Sequence, residues 1–384
     1  MTVNPIQRAA VSPVAAVIGE GGSYFPVPSN TVAPSISGTV SLASGLTGAR
    51  GTWLDAVSYL YRYTRDGAAI DAATDLDYQP VSADLAIPGS ESFPQLRLEV
   101  AGVNALGQVS AYVASNALAF DPAARIESLG AGTLATWVRG NGMVFSGGLA
   151  TDYNDAGPNN RDFTQGTAGA RPAEGTNGAL KFSDFDGVDN QMVGGAVSLY
   201  AQSTEFHRLH VARCKATPSS VGTVALYYLN AAICMDRQSG HTGDAFSTRS
   251  GTTYFQAGGY EAGGVGTGAA EVPVPSPTVK HLFDSSLDTS NMLRAQVDAG
   301  AIGTRQRSGT LVVTGNPFIF GANYLASAFL NFEHHESFIC KKRLSAAVLA
   351  DLRAYLGTKH SVTFEQEVAP SLAQTWGNGW DATA

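Results

Sequence analysis

Cysteine, charge and long apolar runs are all scarce in this chain. Its 384 residues hold only Cys214, Cys234 and Cys340. An odd, widely scattered set excludes a disulfide framework and lacks metal-ligand spacing, so all three read as small buried hydrophobes. Charged residues make up 15% and sum to a formal net charge of -8, with no basic block. Nonspecific nucleic-acid binding depends on Lys and Arg neutralising phosphates, so this balance argues against it. No stretch approaches the ~20 apolar residues of a membrane span. The start, MTVNPIQRAAVSPVAAVIGE, makes a poor signal peptide, because Pro13 interrupts a weak apolar run and Glu20 follows it closely. The expectation is synthesis in a bacterial cytoplasm, with release by lysis or assembly. Phosphate-binding Gly-x-x-x-x-Gly-Lys-Ser/Thr is missing too, and the glycines do not fall into a strand–GxGxxG–helix context.

What is present points to an all-β protein of two or three domains. Hydrophobic residues reach 44%, and 43 Gly with 17 Pro fit short strands joined by frequent turns. Residues 1–31 carry several prolines and no periodicity, and read as an extended arm. Between Pro34 and Phe120, Tyr59, Tyr61 and Tyr63 alternate before an Arg65-Asp66-Gly67 turn, and Leu96, Leu98 and Val100 alternate further on. Strands with turns at such intervals predict a sandwich over 32–121. A linker at 122–129 follows, stiffened by Pro122. Beyond it, apolar runs at 192–200, 206–213 and 223–235 and strands at 279–284, 292–297, 310–314 and 317–320 predict a second β domain over 130–363. The Gly/Ser/Thr-rich stretch 237–271 reads as a long loop with a short hairpin at Thr253-Tyr254-Phe255. Ser345 caps a helix whose apolar positions run to Leu356 and which Gly357 ends. Residues 364–384, with Trp376 and Trp380, form a second arm.

Two resemblances follow from ordered motifs. Ile36-Ser37-Gly38-Thr39, Gly51-Thr52-Trp53, the Tyr63-to-Gly67 turn, Ala73-Thr74 and Tyr78 look like bacterial and phage immunoglobulin-like modules, with Tyr63 where those modules usually carry a core Trp. That swap adds a hydroxyl that needs a partner. Tyr153-Asn154-Asp155, the Asn159-to-Asp162 loop, Arg171-Pro172 and Phe185-Asp186-Gly187-Val188-Asp189 resemble the entry of a concanavalin A-like (laminin-G-like) jelly roll. A closing strand LNFEHHESFIC, then Arg343-Leu344-Ser345 and a short helix, resemble its C-terminal end. The resemblances imply an immunoglobulin-like β-sandwich plus a jelly roll, with extended N- and C-terminal arms.

Chemistry-bearing residues are few. Glu333-His334-His335-Glu336 offers ligand types, but on a regular strand only His334 with Glu336, or Glu333 with His335, converge. Two ligands fall short of what zinc requires, so a structural role is expected. Some relatives of the fold hydrolyse polysaccharides through Glu-x-Asp-x-x-Glu on a strand, and no such strand occurs here. Others bind calcium through loop carboxylates, for which Asp152, Asp155, Asp186 and Asp189 are of the right type, although turns favour Asp for backbone reasons as well. For sugar binding, Tyr254, Phe255 and Tyr260 qualify by type, and a hairpin packing its aromatics on the sheet explains them equally.

The resemblance implies a non-enzymatic structural virion surface protein of a phage or phage-like particle, as a head fibre, decoration or tail-fibre component. Its arms would contact other virion proteins, and a lectin-like domain would make weak host-glycan attachments. A trimer is the expectation from fibre proteins generally. The alternatives are a bacterial surface adhesin or matrix carbohydrate-binding protein and, last, a polysaccharide-degrading enzyme.

Overall fold

A computed structural model describes residues 25–194, 205–215, 232–236, 242–249, 252–259, 269–306, 318–322 and 330–362. Most of the described elements are strands, and the protein is all-β as expected. The chain forms two units interleaved in sequence. One is built from residues 25–37, 47–78 and 97–117, the other from 38–46, 79–96 and the described residues after 117. The N-terminal arm apart from 25–31 and the whole C-terminal arm lie outside the described residues, and so do the expected strand at 310–314, residues 195–200 and 223–231 of the expected apolar runs, and Tyr260.

The first unit holds three small antiparallel sheets. β1 (Ser29–Val32) pairs with β4 (Thr52–Leu54). β2 (Ser35–Ser37), β3 (Leu46–Ala49) and β7 (Asp77–Tyr78) form a second sheet. β6 (Ala68–Ala69), β5 (Ser58–Arg65), β8 (Leu96–Val103) and β9 (Val113–Ala114) form a third, in that spatial order. The turn between β5 and β6 places Asp66 at φ 50° and Gly67 at φ 82°. Two left-handed residues are what a two-residue hairpin with native twist demands, and Asp-Gly supplies them at low cost. Ile36, Trp53, Tyr63, Leu98 and Val100 fill the core. The Tyr63 hydroxyl donates to the Leu76 carbonyl at 2.7 Å, and its ring stacks on Tyr78 with centroids 4.8 Å apart. Burial, with Asp77 nearby, pushes the phenol up to about 12.

In the second unit, residues of the expected linker at 122–129 form α1 (Pro122–Glu127). Asp121 is the N-cap, its carboxylate accepting from Ala124 N at 3.0 Å, and Pro122 sits at the first helical position where its missing N–H costs nothing. The strands are β10 (Leu134–Val138), β11 (Met143–Ser146), β12 (Leu149–Tyr153), β13 (Phe163–Thr164), β14 (Ala173–Asn177), β15 (Leu180–Asp186), β16 (Met192–Gly194) and β17 (Phe206–Cys214). They continue with β18 (Ala232–Asp236), β19 (Thr242–Arg249), β20 (Thr252–Gly259), β21 (Ala270–Pro273), β22 (His281–Leu287), β23 (Met292–Val297), β24 (Gly303–Gln306), β25 (Phe318–Phe320) and β26 (Asn331–Cys340). All their pairings are antiparallel.

They make two layers. In the first, β26 is central: β15 and β10 share one of its edges, β17 lies on the other, and β22, β23 and β24 follow outward. The second runs β11, β12, β13, β16, β25, β18, β19, β20, β21. β14 extends the first layer from β15, and among the described residues one pair, Leu149 with Ala173, joins the layers at one corner. Between them Phe246 and Phe255 of the second layer meet Phe283 of the first, both with centroids 5.0 Å apart.

Much of 237–271, expected as a loop, is the eight-residue hairpin β19–β20, in unbroken register from Thr242–Gly259 to Arg249–Thr252. Thr253, Phe255 and Ala257 alternate into the core, and that burial outweighs a glycine-rich composition. β24 had no sequence signal.

α2 (Ala346–His360) starts where Ser345 caps it, the hydroxyl accepting from Val348 N. It runs past Gly357 for three more residues and ends at Ser361, φ 54°. A mid-helix glycine costs about 1 kcal/mol, less than the buried bonds that Lys359 and His360 make below. The helix is buried on more than one side. Asp351 accepts from Ser41 Oγ at 2.8 Å, Leu42 N at 2.7 Å and Arg125 Nε at 2.6 Å, and Gly89 N donates to the Lys359 carbonyl at 2.9 Å. Those bonds draw 38–46 and 79–96 into the second unit.

Tyr63→Phe removes the hydrogen bond to the half-buried Leu76 carbonyl and is expected to cost ~1 kcal/mol. Chemical denaturation of the full chain measures it; an unchanged first-unit transition would contradict this role for the hydroxyl.

Candidate functional site

Among the described residues, a dense cluster of ionisable side chains lies on β26 and on the strand and helix that cover it. The pairing of β17 with β26 sets His210 opposite Ser337, Val211 opposite Glu336 and Ala212 opposite His334, leaving His335 as an extra residue. This bulge breaks the alternation of the strand. His334 and Glu336 therefore do not converge, contrary to the sequence expectation. Instead His334 and Ser337 share the face toward the second layer, 2.7 Å apart, while His335 and Glu336 both face α2. Glu333 does meet His335, at 3.4 Å, as alternation predicts.

On the α2 side Glu336 is fully buried and fully used. Its Oε1 accepts from Trp137 Nε1 at 2.7 Å and Tyr355 Oη at 2.9 Å. Its Oε2 accepts from His360 Nε2 at 2.7 Å and pairs with Lys359 Nζ at 2.8 Å. Burial alone would raise this carboxyl, but Lys359 and His360 outweigh it and hold the group well below the usual range. His360 is pushed down by burial and stays neutral, donating its Nε2 proton. Nearby, His207 and Arg353 hold Asp284 ionised at 2.9 and 2.7 Å, against the burial that would raise it.

Between the layers lies a second network. Asp244 binds Arg208 at 2.7 Å, His210 Nε2 at 2.8 Å and Ser285 Oγ at 2.8 Å, and His210 Nδ1 lies 2.6 Å from Ser337 Oγ. Ser337, His210 and Asp244 thus have the connectivity of a nucleophile–base–acid relay. All three are at 0% exposure, and the aspartate is shared with Arg208 and Ser285. As placed, the relay clamps one layer to the other. Burial lowers both His210 and His334, the latter well below its ordinary value. Sequence reading missed this network because FHRLHVAR looks like an apolar run. The one local signal is the period-two placement of Phe206, Arg208 and His210; Asp244 lies in a glycine-rich stretch that marks no partner.

Two of the four calcium candidates, Asp155 and Asp186, bind backbone N–H groups. Asp155 accepts from Trp137 N at 2.7 Å, Gly157 N at 2.8 Å and Arg161 N at 3.0 Å, which ties β10 to the loop after β12. Asp186 accepts from Val188 N at 2.8 Å and Asp189 N at 3.4 Å, a turn-forming role, and Asp189 is exposed. Asp152 is half-buried on β12. Among the described residues no three His, Cys, Asp or Glu side chains are grouped to hold a metal.

Of the sugar-binding candidates, Phe255 is fully buried against Phe246 and Phe283, so its ring is closed to any ligand. Tyr254 is half-buried on β20. Cys214 and Cys340 are free, buried thiols at opposite ends of the β17–β26 ladder, and burial pushes Cys214 up to about 12.

No protein-family profile matches the chain, and no curated protein matches it. Solved structures similar to it include the binding domain of Paraclostridial Mosquitocidal Protein 1, at TM-score 0.37 and 9% identity over 58% of this chain and 51% of that one. The binding domain of botulinum neurotoxin DC in complex with SialylT scores 0.40 at 10% identity over 58% and 52%. The botulinum neurotoxin serotype D ligand-binding domain in complex with N-acetylneuraminic acid scores 0.40 at 8% identity over 61% and 52%. The chain spans about half the length of these structures, and the likeness is one of β-rich architecture.

Two outcomes are expected. Glu336→Ala leaves buried donors without their acceptor and should cost ~3–5 kcal/mol, read as a lowered denaturation midpoint. Acid should also destabilise the fold. His210, His334 and His360 sit below their unfolded value near 6.5 in the folded protein and His335 at about 4, so the unfolded chain binds more protons as pH falls from 6.5. Each contributes up to ~1.4 kcal/mol per pH unit. At His281 burial is outweighed by Asp298, which raises the ring and opposes the trend. Glu336 and Asp284 remain ionised throughout that window. Thermal unfolding at pH 7, 6, 5 and 4.5 should show a falling midpoint; a constant one contradicts the buried neutral histidines.

Proposed function

We propose that the chain is a non-catalytic structural component of a phage or phage-like particle surface, carrying a lectin-like unit that makes weak attachments to host glycans. The carrying observation is where its acid–base chemistry lies. The pairs His207–Asp284, His210–Asp244, His335–Glu333 and His360–Glu336 all have both side chains less than a tenth exposed. A glycosidase needs two carboxylates free on an open face, one of them able to give up a proton. Glu336 is held by four donors inside a closed core, where no polysaccharide reaches it. The reading of the units as an immunoglobulin-like sandwich and a concanavalin A-like jelly roll rests on the ordered motifs given above. The terminal segments would contact neighbouring virion proteins in a fibre, as a trimer. Tyr254, and Tyr260 outside the described residues, are the rings proposed for sugar contact. Repeated display compensates for weak single-site affinity, and the reading needs no cofactor.

A glycan array probed with the full chain on a multivalent carrier tests this, with reducing-end release measured on every sugar that binds. Binding without release is expected. Release of reducing ends, or binding to no glycan at all, overturns the lectin reading. Electron microscopy of the source particles, labelled for this chain, should place it on a capsid or tail; a label on cell envelopes instead identifies an adhesin.

A further inference from the structure

Lys359 is the one cation in the Glu336 cluster that also reaches a second carboxylate. Its Nζ lies 2.8 Å from Glu336 Oε2 and 2.7 Å from Glu91 Oε2. The Lys359 side chain is 1% exposed, Glu336 0% and Glu91 18%. Phe93 and Trp137 pack against the Tyr355 ring beside it, and the Tyr355 hydroxyl lies 3.1 Å from Nζ. Around Glu91, Arg139 Nη1 stands 4.0 Å from Oε2, and Arg139 Nε and Nη1 are buried donors without a hydrogen-bond partner. Glu91 Oε1 is likewise buried and unpartnered. Gly140 leaves the acid its place: a Cβ there would lie 2.8 Å from Oε1.

We propose that Lys359 and Glu91 form an intramolecular isopeptide bond, with Glu336 as the proton shuttle. An amine held within hydrogen-bond distance of a carboxyl in a largely buried site has the proximity that makes a condensation effectively unimolecular. One ammonium proton of Lys359 passes to Glu91, leaving a neutral amine beside a carboxylic acid. Nζ attacks Cδ of Glu91 and a C–N bond forms, with the positive charge of Arg139, whose Nη1 stands 4.0 Å from Oε2, beside the developing negative charge. Glu336 takes a second proton from the nitrogen and delivers it to the departing hydroxyl. The C–O bond breaks and one water leaves. The products are an amide and a regenerated Glu336 carboxylate, with no change in net charge or oxidation state and no co-reactant. The bond ties residue 91 to the last turn of α2, closing the 79–96 segment covalently onto the helix that already holds it.

The test is the intact mass of the purified full-length chain under denaturing conditions, followed by peptide fragmentation. The expected mass is one water below the sequence value, with the Glu91 peptide joined to the Lys359 peptide. The full sequence mass with those two peptides separate, or a water loss mapped elsewhere, overturns the proposal. Lys359→Arg keeps the charge and must restore the full mass. Glu336→Gln keeps both reactants and should slow bond formation about 100-fold or more; undiminished formation would remove Glu336 from the step. Because the unmodified protein's mass decides the main question, poor folding of either variant leaves the outcome intact.

Discussion

The second unit depends on one buried carboxylate. Glu336 sits at zero exposure in the central strand of the first layer and gathers Trp137 from the neighbouring strand and Tyr355, Lys359 and His360 from α2. Taking such an ion out of water costs several kcal/mol. Charge-assisted hydrogen bonds, each worth ~1.5–3 kcal/mol, offset that only if all are made together. The site is therefore cooperative: helix, strand and aromatic wall are each positioned by a group that none can do without. It also explains why α2 continues through Gly357, since stopping there would leave Lys359 and His360 outside reach of the acid.

The same strand bears two different chemistries on its two faces because of one extra residue. The bulge at His335 sends His334 and Ser337 inward, toward His210 and Asp244, and sends Glu336 outward, toward α2. Arg208 and Asp244 join the two layers in the first case; Lys359 and Glu336 join sheet to helix in the second. Groups that could perform acid–base chemistry on an open surface are here closed inside the unit.

Sequence reading reached the all-β class, the hairpin at Asp66-Gly67, the need of the Tyr63 hydroxyl for a partner and the cap at Ser345, because each of these is local. A turn needs its left-handed residues, and a cap needs its hydroxyl, within three or four positions. What it could not reach was non-local. The bulge at His335 is set by its partner strands, and Asp244 meets Arg208 only once the layers face each other. Composition also misled where burial decides, as in the glycine-rich hairpin of Phe246 and Phe255. Phe255 has the right chemistry for a sugar platform and lies on the wrong side of its strand, a distinction that register alone determines.

The account makes α2 an integral part of the sheet core and not an accessory on it. Native-state hydrogen exchange measures this directly. The amides of the helix interior, residues 350–360, should exchange only through global opening of the second unit, with the same free energy as the amides of β26. Exchange of the helix at a distinctly lower free energy than the strand would mean that Glu336 does not hold the two together.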